Sequence, residues 1–517
     1  MPPKLAQRFL YWFLRDDLAE EVEGDLEEQF YVKLKEGSPL KAKLNYWYQV
    51  IGYLRPFAIR KSKQVHLNQY VMLLSYFKIS WRNLRKHKFY SFISIFGLAL
   101  GMSCSYLIWL WVQNETGYND HFKNSEDIYY VHLNTIYEGQ VYTNSVTPVP
   151  LHEALKKDIP EVANAVILSW NYDYLINNSE KLIKQTGIYA SEDFFNMFDF
   201  QIVEGDPEKA IKSNQLVITK NTASKLFGSQ SALDKLLIIN EEKEYRVGAV
   251  IANIPDNASI QFDWVLNFRA IEQDWMQNWG NNGVKTYVHI HPNANKKTAE
   301  SNMKEIYSRY TDIKNTFPIL QPLKDVYLYS KFENGKPAGG RILYVHIFMA
   351  VAFFILLIAC INYLNLSTAY STNRAKEVGL RKVVGASKGA IVQQFISESI
   401  LFTLIALVIA IVIIHLSLPT INNLLGTQIQ LDFSDPTIAL GIFFLLIITG
   451  ILSGSYPAFY VSSLQPSRIL NKHSKNTIST NFIRKTLVIF QFSISVFLLI
   501  GIVVISKQLH YANSIQT

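Results

Sequence analysis

Five stretches of this 517-residue chain contain no Asp, Glu, Lys or Arg and are each long enough to cross a bilayer: 89–112, 342–372, 399–418, 436–467 and 486–506. A span needs about 20 apolar residues, because the hydrocarbon layer is about 30 Å thick and a helix rises about 1.5 Å per residue. A soluble protein can bury one such helix in its core; five of them point to a polytopic α-helical membrane protein. Composition agrees: 49% of residues are hydrophobic and only 18% charged, where about 25% is usual in soluble chains. Disordered, collagen-like and disulfide-stapled classes are excluded. The two cysteines, Cys104 and Cys360, both fall inside expected spans. Near the N-terminus the apolar run 9–14 is too short for the core of a cleavable signal peptide, and an acidic stretch follows it.

Charges in the connecting segments alternate. Lys78, Arg82, Arg85, Lys86 and Lys88 precede the first stretch. Segment 373–398 carries five bases against Glu377 and Glu398, and 468–485 carries five bases and no acid. The loop 419–435 has Asp432 and Asp435 and no base. Bases accumulate on the cytoplasmic side, so the N-terminus is expected inside and segment 113–340 outside. That segment holds 22 Lys+Arg and 29 Asp+Glu, a net of −7, so the formal +8 of the whole leaves +15 for the rest. The basic excess is therefore a membrane-surface signal. No basic patch marks a nucleic-acid module.

The expected organisation follows. Residues 1–70 form a small helical cytoplasmic domain in which Leu14, Leu18, Val22, Leu26 and Phe30 share a face, and the eight acids between Asp16 and Glu28 form a solvated face or dock a basic partner. Residues 71–112 are a basic lead-in and span one, with Gly97 and Gly101 at the spacing that permits close helix contact. Residues 113–340 are a large α+β extracytoplasmic domain. Its signals include a helix started by Pro148 or Pro150 and stopped before Pro160, a strand–turn–helix over 214–228 ended at Gly228, a hairpin turning at 240–243, and an amphipathic helix over 295–311. Span two is 341–372, a cytoplasmic segment 373–398, span three 399–418, an outer loop 419–435, span four 436–467, an inner loop 468–485 and span five 486–506.

Chemistry is hard to find. A phosphate-binding GxxxxGK[ST] loop is absent, since Gly335-Lys336 is followed by Pro337, and HExxH and CxxC are missing. His121, His132, His152, His289 and His291 are scattered over the outer segment; His289 and His291 alternate on an expected strand without a third metal ligand. Within the spans the only ionisable residues of note are His346 and His415, and Asn362 and Asn365 are better read as hydrogen-bonding glue between helices. No metal site, catalytic site or bound cofactor is expected.

The informative residues follow span two. In "RAKEVGLRKVVGAS" Arg374, Glu377, Arg381 and Lys388 recur at helical spacing, Gly385 ends the turn and Ser387 can cap the next helix. A short charged helix held at the membrane face between two spans is a lever for a partner inside. This motif resembles the cytoplasmic signature of the MacB/FtsX-like ABC transporter permeases, and the order of one span, a large outer domain and three spans resembles theirs as well. "SEDFFNMFDFQIVEGDPEKAI" with "NQLVITKNTASKLFG" is similar to the MacB-like periplasmic core domain, and "PPKLAQRFLYWFLRDDLAEEVEGDLEEQF" to the prefix domain of some of these permeases. The resemblance implies a bacterial inner-membrane transport subunit without its own ATPase. A separate ATP-binding subunit dimer holds ATP and docks inside, with a second permease copy, a periplasmic adaptor and membrane lipids as further partners. It places Arg374, Glu377, Gly379, Arg381, Lys382, Gly385 and Ala386 in the ATPase-coupling segment. The substrate expected is amphipathic and is exported or extracted; the alternative is an FtsX-like signalling subunit regulating a cell-wall hydrolase, or a membrane sensor with no ATPase. Residues 481–517 resemble the opening span of a second such unit, so 507–517 is expected to begin a second outer domain that the chain lacks.

Overall fold

The computed structural model describes residues 2–14, 16–53, 78, 80–82, 84–178, 180–463 and 478–515. It divides into two compact units. One takes in 1–94, 366–402 and 450–474, the other 95–365, 403–449 and 475–517.

In the first unit, helices α1 (Lys4–Phe13), α2 (Asp16–Glu36) and α3 (Pro39–Gly52) close on a small core of Ala6, Leu10, Leu14, Leu26, Phe30, Ala42, Tyr46 and Val50. Four-residue spacing puts one side chain per turn on the same stripe of each helix. Of the expected face, Leu26 and Phe30 on α2 are buried with Val22 packed at their edge, whereas Leu14 is buried at the end of α1 rather than on α2, and the side chain of Leu18 lies outside the described residues. Pro39 starts α3 at a position where its missing N–H costs nothing. Gln7 of α1 donates to Glu23 and Glu27 of α2 at 3.3 and 2.9 Å. The rest of the expected N-terminal domain and the start of the lead-in, 54–77, lie outside the described residues.

Among the described residues, five helices are long and apolar enough to span a membrane: Lys88–Thr116, Ile342–Tyr370, Lys388–Leu425, Pro436–Ser455 and Lys485–Gln508. Their cores match the charge-free runs; the first, second, third and fifth helices overrun the expected ends, while the fourth is described to Ser463, and 464–467 of its expected span lie outside the described residues. The second helix continues without a break to Val383, and the third already begins at Lys388, so no separate short helix lies between them. The third also runs through Pro419 to Leu425, which shortens the outer loop. Asn422 ties that loop down, donating to the Ile429 carbonyl at 2.9 Å and accepting from Thr427 and the Ile429 N–H. The fifth helix spans Ile478–Ile515, taking in residues expected as inner loop and as outer domain. Two polar side chains within the second unit bond to neighbouring backbones: Ser105 donates to the Ala352 carbonyl (2.9 Å) and Tyr106 to that of Ile438 (2.8 Å).

The small-residue pair is corrected. Gly101 sits against the second span, where a Cβ would stand 2.3 Å from that of Ala359; Gly97 has open space around it, so the two do not act together. Close approach is needed at one position only, because α-helical faces diverge beyond the crossing point. Asn362 is exposed on its helix rather than joined to another helix of this chain, and Asn365 is half-buried.

The outer domain carries strands β1 (Ile128–Tyr137), β2 (Gln140–Asn144), β3 (Thr147–Pro148), β4 (Val162–Leu168), β5 (Tyr172–Asn177), β6 (Leu182–Ala190), β7 (Ile202–Gly205) and β8 (Leu216–Thr219). They are followed by β9 (Leu236–Ile239), β10 (Lys243–Ile251), β11 (Trp264–Asn267), β12 (Asn282–Ile290), β13 (Thr316–Pro322), β14 (Lys331–Glu333) and β15 (Lys336–Gly339). One sheet runs β11-β8-β10-β9-β5-β6-β4-β12-β1-β13, and β14 and β15 form a separate hairpin. The β9–β10 hairpin turns where expected, with Asn240 and Glu241 at φ 56° and 60°. The helix Leu151–Asp158 follows Pro150 as expected. No turn separates β8 from its helix Lys220–Phe227, because Thr219 ends the strand and caps the helix by accepting from the Thr222 N–H. The expected helix over 295–311 is two, Lys296–Met303 and Ile306–Tyr310.

Two buried groups make this domain testable. Gly187 in β6 lies opposite Trp264, fully buried in β11, and a Cβ there would stand 1.9 Å from the indole. Gly187→Val is expected to destabilise by about 1–3 kcal/mol or more through overpacking, seen as a lowered thermal midpoint of the purified chain. His132 is buried between Tyr130 and Phe332 with Nε2 2.7 Å from Gln321 Oε1. Burial pushes its pKa down to about 4. The unfolded chain, titrating near 6.5, binds the proton first, so stability is full above that pH and falls as pH drops toward about 4. Thermal midpoints measured across this range are expected to fall less steeply in His132→Gln.

Candidate functional site

The residues expected to couple to a partner gather at the end of the second span helix. Val378 and Gly379 are buried, and Val378 packs with Ile391, Phe395 and Ala458. With that face fixed, the 3.6-residue period turns Leu380, Val383 and Val384 outward, at 65%, 63% and 82% exposure. Arg381 donates to Glu377 Oε1 at 2.7 Å one turn back and to Gln394 Oε1 at 2.6 Å on the third span helix. Lys382 donates to the Ser462 carbonyl at 2.6 Å, in the last turn of the fourth span helix, where a cation meets the negative end of the peptide dipoles. Partial burial and the nearby Lys388 hold its pKa below the ordinary lysine value.

The turn is equally defined. Gly385 has φ +100°, a conformation that a side chain disfavours, and the Gly385 and Ala386 N–H groups bond back to the Lys382 and Arg381 carbonyls. Ser387 Oγ accepts from the Ala390 N–H at 3.2 Å, the expected cap. Of the expected set, Glu377, Gly379, Arg381, Lys382, Gly385 and Ala386 share this site; the backbone of Arg374 belongs to the same helix. Gln394 and Ser462, which bind the motif to two further helices, carry no local signal in the sequence. The arrangement is an apolar knuckle on a turn clamped from two sides. Arg381→Met leaves the buried Gln394 without its partner and is expected to cost about 1–3 kcal/mol, read as a lower thermal midpoint of the purified chain.

A second constellation joins the outer domain to its spans. Glu115, in the last turn of the first span helix, is 4% exposed. Arg341, one residue before the second, lies 3.4 Å from it. The Tyr327 hydroxyl donates to Glu115 Oε1 at 3.2 Å and accepts from Arg341, whose guanidinium also lies over the Tyr327 ring. Tyr118 stacks on that ring at 3.4 Å between centroids. Burial, reinforced by Tyr118 and Glu115, keeps the Tyr327 hydroxyl protonated well above the ordinary phenol range. Below it Val112, Leu328 and Val345 pack together, and the Ile342 N–H bonds to the Leu328 carbonyl. The signal for this joint was in the sequence: Glu115 and Arg341 are the first charges beyond the outer ends of two charge-free runs.

The outer domain also carries two neighbouring hollows that share Phe268. The larger, about 440 Å³, holds the ion pairs Lys156–Asp193 (2.6 Å) and Arg269–Glu192 (3.2 Å). The smaller, about 230 Å³, is walled by the half-exposed Trp170 and Trp275 with Tyr172 and Met276. Among the described residues no three His, Cys, Asp or Glu side chains form a metal-binding group.

Comparison with known proteins places both regions. Residues 91–306 match the MacB-like periplasmic core domain and residues 349–466 the FtsX-like permease C-terminal domain. A macrolide export ATP-binding/permease protein MacB from Chromobacterium violaceum is 22% identical over 64% of this chain and 47% of its own length. Its counterpart from Haemophilus ducreyi is 24% identical over 68% of this chain and 46% of its own. The chain thus spans a little under half the length of these relatives. The solved periplasmic region of MacB from Actinobacillus actinomycetemcomitans is 14% identical, covering 38% of this chain and 89% of that one at a TM-score of 0.30. With two family domains in the order that its helices and outer sheet display, this multi-pass membrane protein with a large extracytoplasmic domain belongs to the MacB/FtsX-like ABC transporter permeases.

Proposed function

We propose that this chain is the transmembrane subunit that converts ATP hydrolysis by a separate ATP-binding subunit into movement of its outer domain, to export or extract an amphipathic substrate. The observation that carries the reading is the apolar knuckle of Leu380, Val383 and Val384, held rigid by Arg381, Lys382 and Gly385. Three exposed apolar side chains on a rigid turn suit a hydrophobic cleft on a partner, since contact then orders nothing that was loose. The N-terminus and the knuckle lie on the cytoplasmic side of a bacterial inner membrane in this reading, in keeping with the basic inner segments. A second permease copy is supported by the second and fifth spans, whose apolar faces are mostly uncovered within the chain. The paired charged and aromatic hollows of the outer domain suit an amphipathic ligand.

Co-expression with the ATP-binding subunit tests this. Leu380→Glu with Val384→Glu is expected to abolish co-purification and substrate-stimulated ATPase activity while the permease still inserts and keeps its thermal midpoint. Glu377→Lys is expected to weaken coupling, since it sets a like charge beside Arg381. Undiminished assembly and coupling in both variants would overturn the assignment.

A further inference from the structure

Helix α3 has a second apolar face. Ala42, Tyr46 and Val50 are buried in the three-helix core, while Leu44, Tyr48 and Ile51, at i, i+4 and i+7, stand 62%, 78% and 54% exposed on the side away from it. The flanks are already taken: Trp47 packs on Phe9 of α1, and Gln49 donates to Gln29 of α2 at 2.6 Å. A helix this apolar on its outer side needs a cover.

We propose that this outer face of α3 lies on the surface of an anionic bilayer, with Leu44, Tyr48 and Ile51 sunk among the headgroups and Lys41 and Lys43 against lipid phosphates. Four observations favour lipid over protein. The sequence of α3, PLKAKLNYWYQVIG, has two exposed lysines and no acid. At the neighbouring end of α2 Lys33 and Lys35 outnumber the single acid Glu36, whereas two of the acids nearer its start, Glu23 and Glu27, are turned to Gln7 of α1. Tyr48 at the middle of the stripe is a side chain that prefers the bilayer interface. Finally, three side chains over about two turns offer far less than the roughly 800 Å² a side of a stable protein interface, yet suffice for an interfacial helix already held near the membrane by the chain that enters it at Lys88. The inference needs only that Lys88–Thr116 is a span, and is independent of any ATPase docking at the knuckle.

The test uses the full chain in nanodiscs, with Cys104→Ser and Cys360→Ala as background. A nitroxide is placed in turn at positions 44, 48 and 51, and at the exposed Glu28 as a control. Oxygen and nickel-complex accessibilities, measured by electron paramagnetic resonance, give immersion depth. In discs of phosphatidylcholine with phosphatidylglycerol the three stripe positions are expected roughly 5–10 Å into the headgroup boundary, and Glu28 in water. In Lys41→Glu/Lys43→Glu, which leaves the stripe intact, the immersion is expected to be lost. Stripe labels open to the nickel complex in anionic discs would overturn the proposal. Labels immobilised and shielded from both reagents would overturn it in favour of a protein cover.

Discussion

A charge placed in hydrocarbon costs several kcal/mol unless it finds water or a partner, and most of this molecule's architecture follows from where its charges are therefore allowed to be. They sit where helices leave the apolar layer. At one such level Glu115 and Arg341 close on each other through Tyr327; at another Arg381 and Lys382 reach the third and fourth span helices. Each pairing ties the ends of helices whose middles carry little specificity. The lipid-facing middles contribute length and the charged ends contribute geometry.

The same rule decides what could be read from sequence. Five spans were legible because absence of charge over about 20 residues is a local property, and Gly385 and Ser387 were legible because turns and caps are written in adjacent residues. The continuation of the helix to Val383 is not legible in the sequence, since Arg374 and Glu377 read equally as the start of a new element; a charged helix leaving the membrane and an interfacial helix have the same local composition. Gly97 and Gly101 looked equivalent by spacing, and only Ala359, more than 250 residues away, distinguishes them. Asn362 failed for the same reason. Polar glue needs a neighbour that spacing cannot supply.

In the outer domain the local signals held and the global arrangement did not emerge. The β9–β10 hairpin and the helix after Pro150 follow from turn residues and proline. The sheet order does not, because β6 pairs with β11 in parallel and β8 with β10 in parallel across crossovers, and such pairings are chosen by contacts far apart in sequence. Gly187 against Trp264 is one of those contacts: glycine in a strand usually weakens it, and here it makes room for the largest buried side chain of the core.

Glu115 belongs to the helix that enters the outer domain and Arg341 to the residue that leaves it, and the two side chains touch. A domain whose entry and exit strands meet at one point can be lifted out or replaced without displacing what surrounds it. The 225 or so residues between them therefore have the form of an insert in a membrane scaffold, free to diverge in the shapes they recognise while the helices beneath keep their own packing.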